Sequence, residues 1–171
     1  MDFLQLVESR YSVRSYQDRP VEQAKLDRIL EAVRLAPSGS NRQPWRFIVV
    51  RDADVRRRLV PACSNQQFIA QAPVVIAGVG LMPNRVMRCD IPGDPVDVAI
   101  AMEHLALAAV AEDLGTCWIG AFYQDQVREV LGVPADSAKV IQLMTLGYPD
   151  GDPRPKTRKP MSEIVCFDRW E

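Results

Sequence analysis

The sequence predicts a mixed helix-and-strand domain of the α/β or α+β class. Three segments carry that prediction. Residues 21–35 place Leu26, Ile29, Leu30 and Val33 at the i, i+3, i+4, i+7 spacing of an amphipathic helix. Residues 73–79, PVVIAGV, form an unbroken apolar run of strand length, the pattern of a buried central strand. Residues 97–114 are rich in alanine and apolar nearly all round, as in a helix buried on more than one side, in a core or a subunit interface. Helices and strands are interleaved along the chain, and that interleaving sets the class.

The remaining elements follow in order. Residues 3–9 predict a short helix, with Phe3, Leu4, Leu6 and Val7 partly on one face. Pro37 ends the helix over 21–35. Residues 37–44, PSGSNRQP, carry the prolines, glycine, serines and asparagine of a loop. Trp45 to Val50 is rich in β-branched and aromatic residues and predicts a strand. Asp54 is placed to cap a short helix through about Leu59, and a second short helix is expected over 64–70. Residues 82–96 hold three prolines and a glycine and predict a loop or lid. Asp97 is expected to open the alanine-rich helix and Gly115 to stop it. A strand or loop at 116–122, a helix at 124–131 and a strand at about 139–147 complete the pattern. The tail from Pro149 carries Pro153, Pro155 and Pro160 and is expected to be extended.

The 171 residues are one domain's worth of chain, so a single domain over 1–171 is expected. Lys plus Arg is 21 and Asp plus Glu is 22, a formal net charge of −1. Such a balance argues against a protein whose main task is gripping nucleic acid, where a basic face would dominate. Hydrophobic residues make up 47% and charged ones 25%, which excludes wholesale disorder, a collagen-like chain and a coiled coil. The longest apolar run, Ala72 to Met82, is about half a membrane span. The N-terminus lacks the basic start and apolar stretch of a secretory signal, so a soluble cytoplasmic protein is expected. The four cysteines, at 63, 89, 117 and 166, form no CxxC pair and are expected to be free thiols.

Four segments carry potential chemistry. Arg10, Ser12 and Arg14 stand at i, i+2, i+4 and share one side of an extended stretch. Two guanidiniums and a hydroxyl suit a phosphate or carboxylate, although a solvated surface stretch has the same pattern. The 37–44 loop offers small residues for close backbone approach to a flat ligand, with Asn41 and Gln43 as donors and acceptors; a plain connector reads alike. In Gly115–Phe122, Gly120 would let a planar group approach exposed backbone, or the segment is simply a buried strand. The tail collects Arg154, Lys156, Arg158 and Lys159, either a ligand clamp or a solvated basic tail.

Other chemistries find no support. There is no GxGxxG after a strand, no GxxxxGK[ST] and no GxSxG elbow. His104 is the only histidine, so a histidine metal site is excluded and no metal is expected. A Ser-His-Asp triad is unsupported, and Cys117 beside Trp118 reads as packing.

Taken in order, the segments resemble the FMN-dependent nitroreductase family over nearly the whole chain. RYSVRSY is similar to the family's R-x-S-x-R-x-[FY] opening, and APSGSNRQPWRFIVV to its P-S-x-x-N-x-Q-P-W-x-F strand entry, the most specific match. LGTCWIGAF resembles its flavin-contacting turn, and RPKTRKPMSEIV its C-terminal R-K-P-hydrophobic ending. The resemblance implies a three-layer α+β fold, with a mostly antiparallel sheet flanked by helices. It also implies an intertwined homodimer with flavin sites at the subunit interface. Arg10 and Arg14 would hold the ribityl phosphate and the pyrimidine edge, with Ser12 beside them and Tyr11 giving only a backbone contact. Arg158, with Lys159 or the weaker candidate Lys156, would close on the phosphate. Pro37, Ser38 and Gly39 would come from the other subunit, with Asn41 and Gln43 matching polar loop positions. Asn65 would read the pyrimidine edge, and Ile119 and Gly120 match the turn whose N–H faces flavin N5.

The activity implied is hydride transfer from NADH or NADPH to bound FMN, then reduction of a nitroaromatic, quinone or activated alkene in ping-pong fashion. No catalytic side chain is assigned, because the flavin does the chemistry. Alternatives are a flavin-binding storage or sensor module without turnover, or another flavin chemistry such as dehalogenation or flavin fragmentation. No nucleic-acid or membrane partner is expected. Residues 82–96 are too short for the helical insertion that often walls the family's substrate pocket.

Overall fold

The computed structural model describes residues 2–153 and 155–170. Helix α1, Phe3–Ser9, starts from a capping box: Asp2 accepts from the Gln5 amide and Gln5 returns an acceptor to the Asp2 amide, both at 2.9 Å. Helix α2, Gln23–Arg34, buries Leu26, Ile29 and Val33, the stripe that the spacing predicts. A 3₁₀ turn at Gly39–Asn41 leads into β1, Trp45–Val50. Helix α3, Ala53–Ala62, α4, Phe68–Gln71, and β2, Val74–Gly80, follow. Helix α5 is Gly93–Ala111, β3 is Gly115–Ile119, α6 is Gln124–Leu131 and β4 is Lys139–Gly147. A single helical turn, α7 at Met161–Ile164, interrupts the otherwise extended tail.

The four strands form one antiparallel sheet in the order β1-β2-β4-β3. Side chains alternate across β2, so its apolar run serves both faces. Val75, Ala77 and Val79 pack with α3, α4 and α6 residues such as Leu59, Ile69 and Val127. Val74 and Ile76 pack with α2 and α5 residues such as Ile29, Val98, Met102 and Leu105. The result is three layers, helices on both sides of a central sheet, an α+β fold. Helix α5 lies so close to β2 that a Cβ at Gly78 would come within 2.7 Å of Val98 Cγ1. The apolar residues around most of α5 are therefore spent on the sheet and α2. No helix among the described residues is long and apolar enough to cross a membrane.

Several boundaries differ from the sequence reading. The cap of α3 is Asp52, whose carboxylate accepts from Val55 N at 2.9 Å, and Asp54 sits in the first turn. The expected helix over 64–70 contracts to Phe68–Gln71, because Ser64 and Asn65 turn to positive φ and break the path. Helix α5 begins at Gly93 rather than Asp97. Pro95 falls in its first turn, where a missing N–H costs nothing, so a proline that reads as loop is compatible with helix. Asp97 is therefore one turn inside. Gly115 does not stop α5 either. Asp113 adopts φ 60° and the amides of Asp113 and Leu114 bond back to Val110 O and Ala109 O at 3.1 and 2.8 Å, a Schellman closure built on aspartate.

Candidate functional site

The stretch after α1 has no helix or strand of its own and borrows the sheet's. Ser12 bridges Thr116 at the start of β3, and Val13 N donates to Thr116 O at 2.9 Å. Tyr16 turns inward, its hydroxyl 2.9 Å from Val13 O and 2.7 Å from Thr145 Oγ1 on β4. Burial pushes its phenol well above the usual range, so this anchor stays protonated. With Val13 and Tyr16 sunk into the core, Arg14 is left outside and Arg10 half-buried.

The tail returns to the same place. Lys156 donates to Arg10 O at 3.1 Å and also to Glu8 O, stapling the two ends of the chain. A pocket of about 270 Å³ results, lined by Arg10, Tyr11, Ser12, Arg14, Pro155, Lys156, Thr157 and Arg158. A neighbouring one of about 220 Å³ continues along Tyr11–Ser15 to Asp150–Asp152. The guanidiniums of Arg10, Arg14 and Arg158 pair with no carboxylate among the described residues. Behind them the buried hydroxyl Thr116 Oγ1 has no hydrogen-bond partner. Burial raises the Cys117 thiol pKa, and the charges of Arg14 and Arg10 and a hydrogen bond from Ser12 oppose that rise, so the positive field of the two arginines reaches β3. Uncompensated cations around a cleft are a donor set for a phosphate-sized anion.

A second cluster gathers at the other end of β3. Ile119 is buried and Gly120 is exposed, and a Cβ at Gly120 would meet nothing within 4 Å. This turn therefore offers bare backbone to a flat group. Gln66 ties it to the α3–α4 connection, donating to Ala121 O at 3.2 Å and Cys63 O at 2.9 Å. Asn65, next in chain, is exposed, with φ 58° and its amide closed on Val60 O at 3.0 Å.

The 37–43 loop lies apart from the arginine pocket within one chain, and none of its residues lines it. Ser38 Oγ accepts from Gln43 N at 2.8 Å, Gln43 Nε2 donates to Asn41 Oδ1 at 3.1 Å, and Gly39 N donates to Asp97 Oδ1 at 2.9 Å. Pro37, Gly39, Asn41 and Gln43 are exposed and Ser38 is half-buried.

Of the two tail lysines, Lys156 lines the pocket, whereas Lys159 faces Glu163 at 3.4 Å and does not. Arg154 lies outside the described residues. Asp97 and Arg85, which meet each other and the 37–43 loop, make contacts that sequence reasoning missed. Asp97 reads as a helix cap in sequence, and its true partners are distant in the chain.

Residues 7–79 and 62–148 match the family model described as the nitroreductase family. A solved nitroreductase family protein from Clostridium difficile 630 is 34% identical, with a TM-score of 0.89 over 99% of this chain and all of that one. An FMN-dependent nitroreductase from Clostridium difficile R20291 is 27% identical, with a TM-score of 0.85 over 98% of this chain and all of that one. The FMN reductase (NAD(P)H) of Bacillus subtilis is 29% identical over 90% of this chain and 68% of its own length.

Proposed function

We propose that this chain, which belongs to the nitroreductase family, is an FMN-dependent oxidoreductase that moves hydride from NADH or NADPH to small electron-poor acceptors. The observation that carries the reading is the pocket where Arg10, Arg14 and Arg158, free of carboxylate partners, converge from both ends of the chain. FMN bears a near-dianionic phosphate, and each charge-assisted hydrogen bond to it contributes ~1.5–3 kcal/mol. The donor set therefore fits the group. When bound, FMN supplies reversible acceptance of hydride at N5.

The chain's own residues hold and tune. Arg10, Arg14 and Arg158 bind the phosphate end, with Ser12 and Lys156 beside them and Lys159 a more distant cation. Tyr11 contributes backbone to the pocket wall. Asn65 reads the pyrimidine edge. The amide at the Ile119–Gly120 turn favours negative charge on the reduced ring without any side chain acting as acid. Acceptors of the nitroaromatic, quinone or activated-alkene class then use the face that the nicotinamide has left, which is ping-pong order.

Two copies complete the site. Pro37, Ser38, Gly39, Asn41 and Gln43 sit away from their own chain's arginine pocket, as covering groups supplied to a partner's flavin would. Phe3, Leu4 and Val7 on α1 and Met161, Ile164, Phe167 and Trp170 in the tail are exposed apolar residues that an interface would cover. Obligate interfaces bury on the order of 2,000–5,000 Å².

Purified protein is expected to carry or take up FMN, to lose its yellow colour anaerobically with NADH or NADPH, and to regain it faster with a quinone or nitroaromatic than with oxygen alone. Protein that cannot be loaded with FMN ends the reading. Protein that loads but never reoxidises faster with any such acceptor is a storage or sensor module instead.

A further inference from the structure

The 37–43 loop holds three non-glycine residues, Ser40, Asn41 and Gln43, at φ 55°, 53° and 50°. Left-handed backbone at such residues persists only where the surroundings over-determine it. The loop's internal bonds do not join it to the body of the protein. One outside contact is Gly39 N to Asp97 Oδ1. Asp97 is 4% exposed, and its other oxygen pairs with Arg85 from the 81–92 loop. Arg85 lies directly beneath the loop: a Cβ on Gly39 would stand 3.4 Å from its Nη1.

The 81–92 loop is itself pinned. Leu81 N donates to Pro44 O at 2.9 Å, Met82 N to Asp94 Oδ2 at 2.7 Å, and Gly93 N to Arg85 O at 3.0 Å. Arg85 Nε also stands 3.9 Å from Asp94 Oδ1. One guanidinium thus faces two buried carboxylates at the head of α5, and a Cβ at Gly93 would collide with it. We infer that the Arg85–Asp97 pair is a latch that holds the 37–43 loop in its strained shape, ready for the cofactor, and couples it to the 81–92 loop. Arg85 and Asp97 are positioning residues, and their bearing on the cofactor rests on the FMN reading above.

The test compares full-length wild type with Arg85→Ala, Arg85→Lys and Asp97→Asn. Hydrogen exchange over 37–44 is read on the FMN-free protein, and FMN affinity by quenching of flavin fluorescence. Arg85→Ala is expected to speed exchange over 37–44 at least tenfold, to leave β2 and β4 unchanged and to weaken FMN at least tenfold. Arg85→Lys should restore both to within threefold. Asp97→Asn keeps an oxygen for Gly39 but loses the charge, and should speed exchange severalfold; it decides the matter if Arg85→Ala does not fold. Unchanged exchange over 37–44 in Asp97→Asn and in folded Arg85→Ala overturns the latch. Faster exchange with FMN affinity within twofold of wild type overturns its role in positioning the cofactor. Wild type that takes no FMN overturns the cofactor reading alone, since exchange reports the latch without it.

Discussion

Strands β2 and β4 and the tail all carry large apolar side chains, few and set among charges in the tail, and these end in opposite environments. Every residue of β2 is buried, as are Leu143, Met144 and Leu146 of β4. From Gly151 onward every described residue is exposed, including Phe167 at 83% and Trp170 at 92%. The strands find both their backbone partners and their apolar partners inside one chain. Lys156 ties the tail to the Arg10 and Glu8 carbonyls, and Lys159 faces Glu163 within it. One region thus buries its apolar side chains within the chain, while the other leaves them exposed. That contrast is what the proposed dimer would resolve, and the pocket of Arg10, Arg14 and Arg158 lies where the tail meets the body of the chain.

The sharpest way to break the comparison is at that seam. Arg10→Ala combined with Arg158→Ala removes one cation from each side. Two charge-assisted contacts at ~1.5–3 kcal/mol each predict FMN binding weaker by at least about a hundredfold. The core does not depend on either side chain, so the FMN-free melting temperature should stay within about 2 °C. Full retention of flavin by this variant would remove the site.

The next test weighs the core against the tail. Leu105→Ala empties a fully buried position between α5 and the sheet and should cost about 2–5 kcal/mol in denaturant unfolding. Trp170→Ala, measured at dilutions where the chain is monomeric, should cost less than about 0.5 kcal/mol. Equal costs would mean that the tail is part of the same cooperative core. Phe167→Ser with Trp170→Ser should instead shift the monomer–dimer equilibrium seen in sedimentation by about tenfold or more toward monomer.

The thiols compare the two regions without any substitution. Burial pushes Cys63 from an ordinary value near 9 up to about 12, whereas Cys89 and Cys166 are exposed. Its folded form therefore holds a proton that the unfolded chain gives up. Its contribution to stability is complete below pH 9 and is lost as pH rises from 9 to 12. A thiol reagent at pH 8 should modify Cys89 and Cys166 first, with Cys63 and Cys117 slower by about a hundredfold. Early reaction at Cys63 would show that the core side opens as readily as the tail.

Much of this was legible along the chain. Residues 3–9, 45–50, 124–131 and 139–147 form the elements that local pattern and β-branching predict, because each is a short run with its own signal, although the apolar residues of 3–9 stay exposed. The α5 start was not, since Pro95 is forbidden in mid-helix but harmless in a first turn, and sequence does not say which turn it is in. The same holds for the pocket. Arg10, Ser12 and Arg14 stand out by spacing. Lys159 has Glu163 four residues on, a local partner that the sequence shows, whereas only the path of the tail brings Lys156 to Arg10 O.

The sequence by itself determined the element types, the two-faced character of β2 and the residue types that a phosphate and a flat ring require. Those follow from local patterns of side-chain size, charge and backbone freedom. The tertiary structure decided which cations meet, that Thr116 stands behind them without a partner, and that Asp97 reaches across to Gly39 and Arg85. Those contacts join segments from 12 to well over a hundred residues apart, and they form only once packing on both faces of the sheet has brought the chain's ends and loops together.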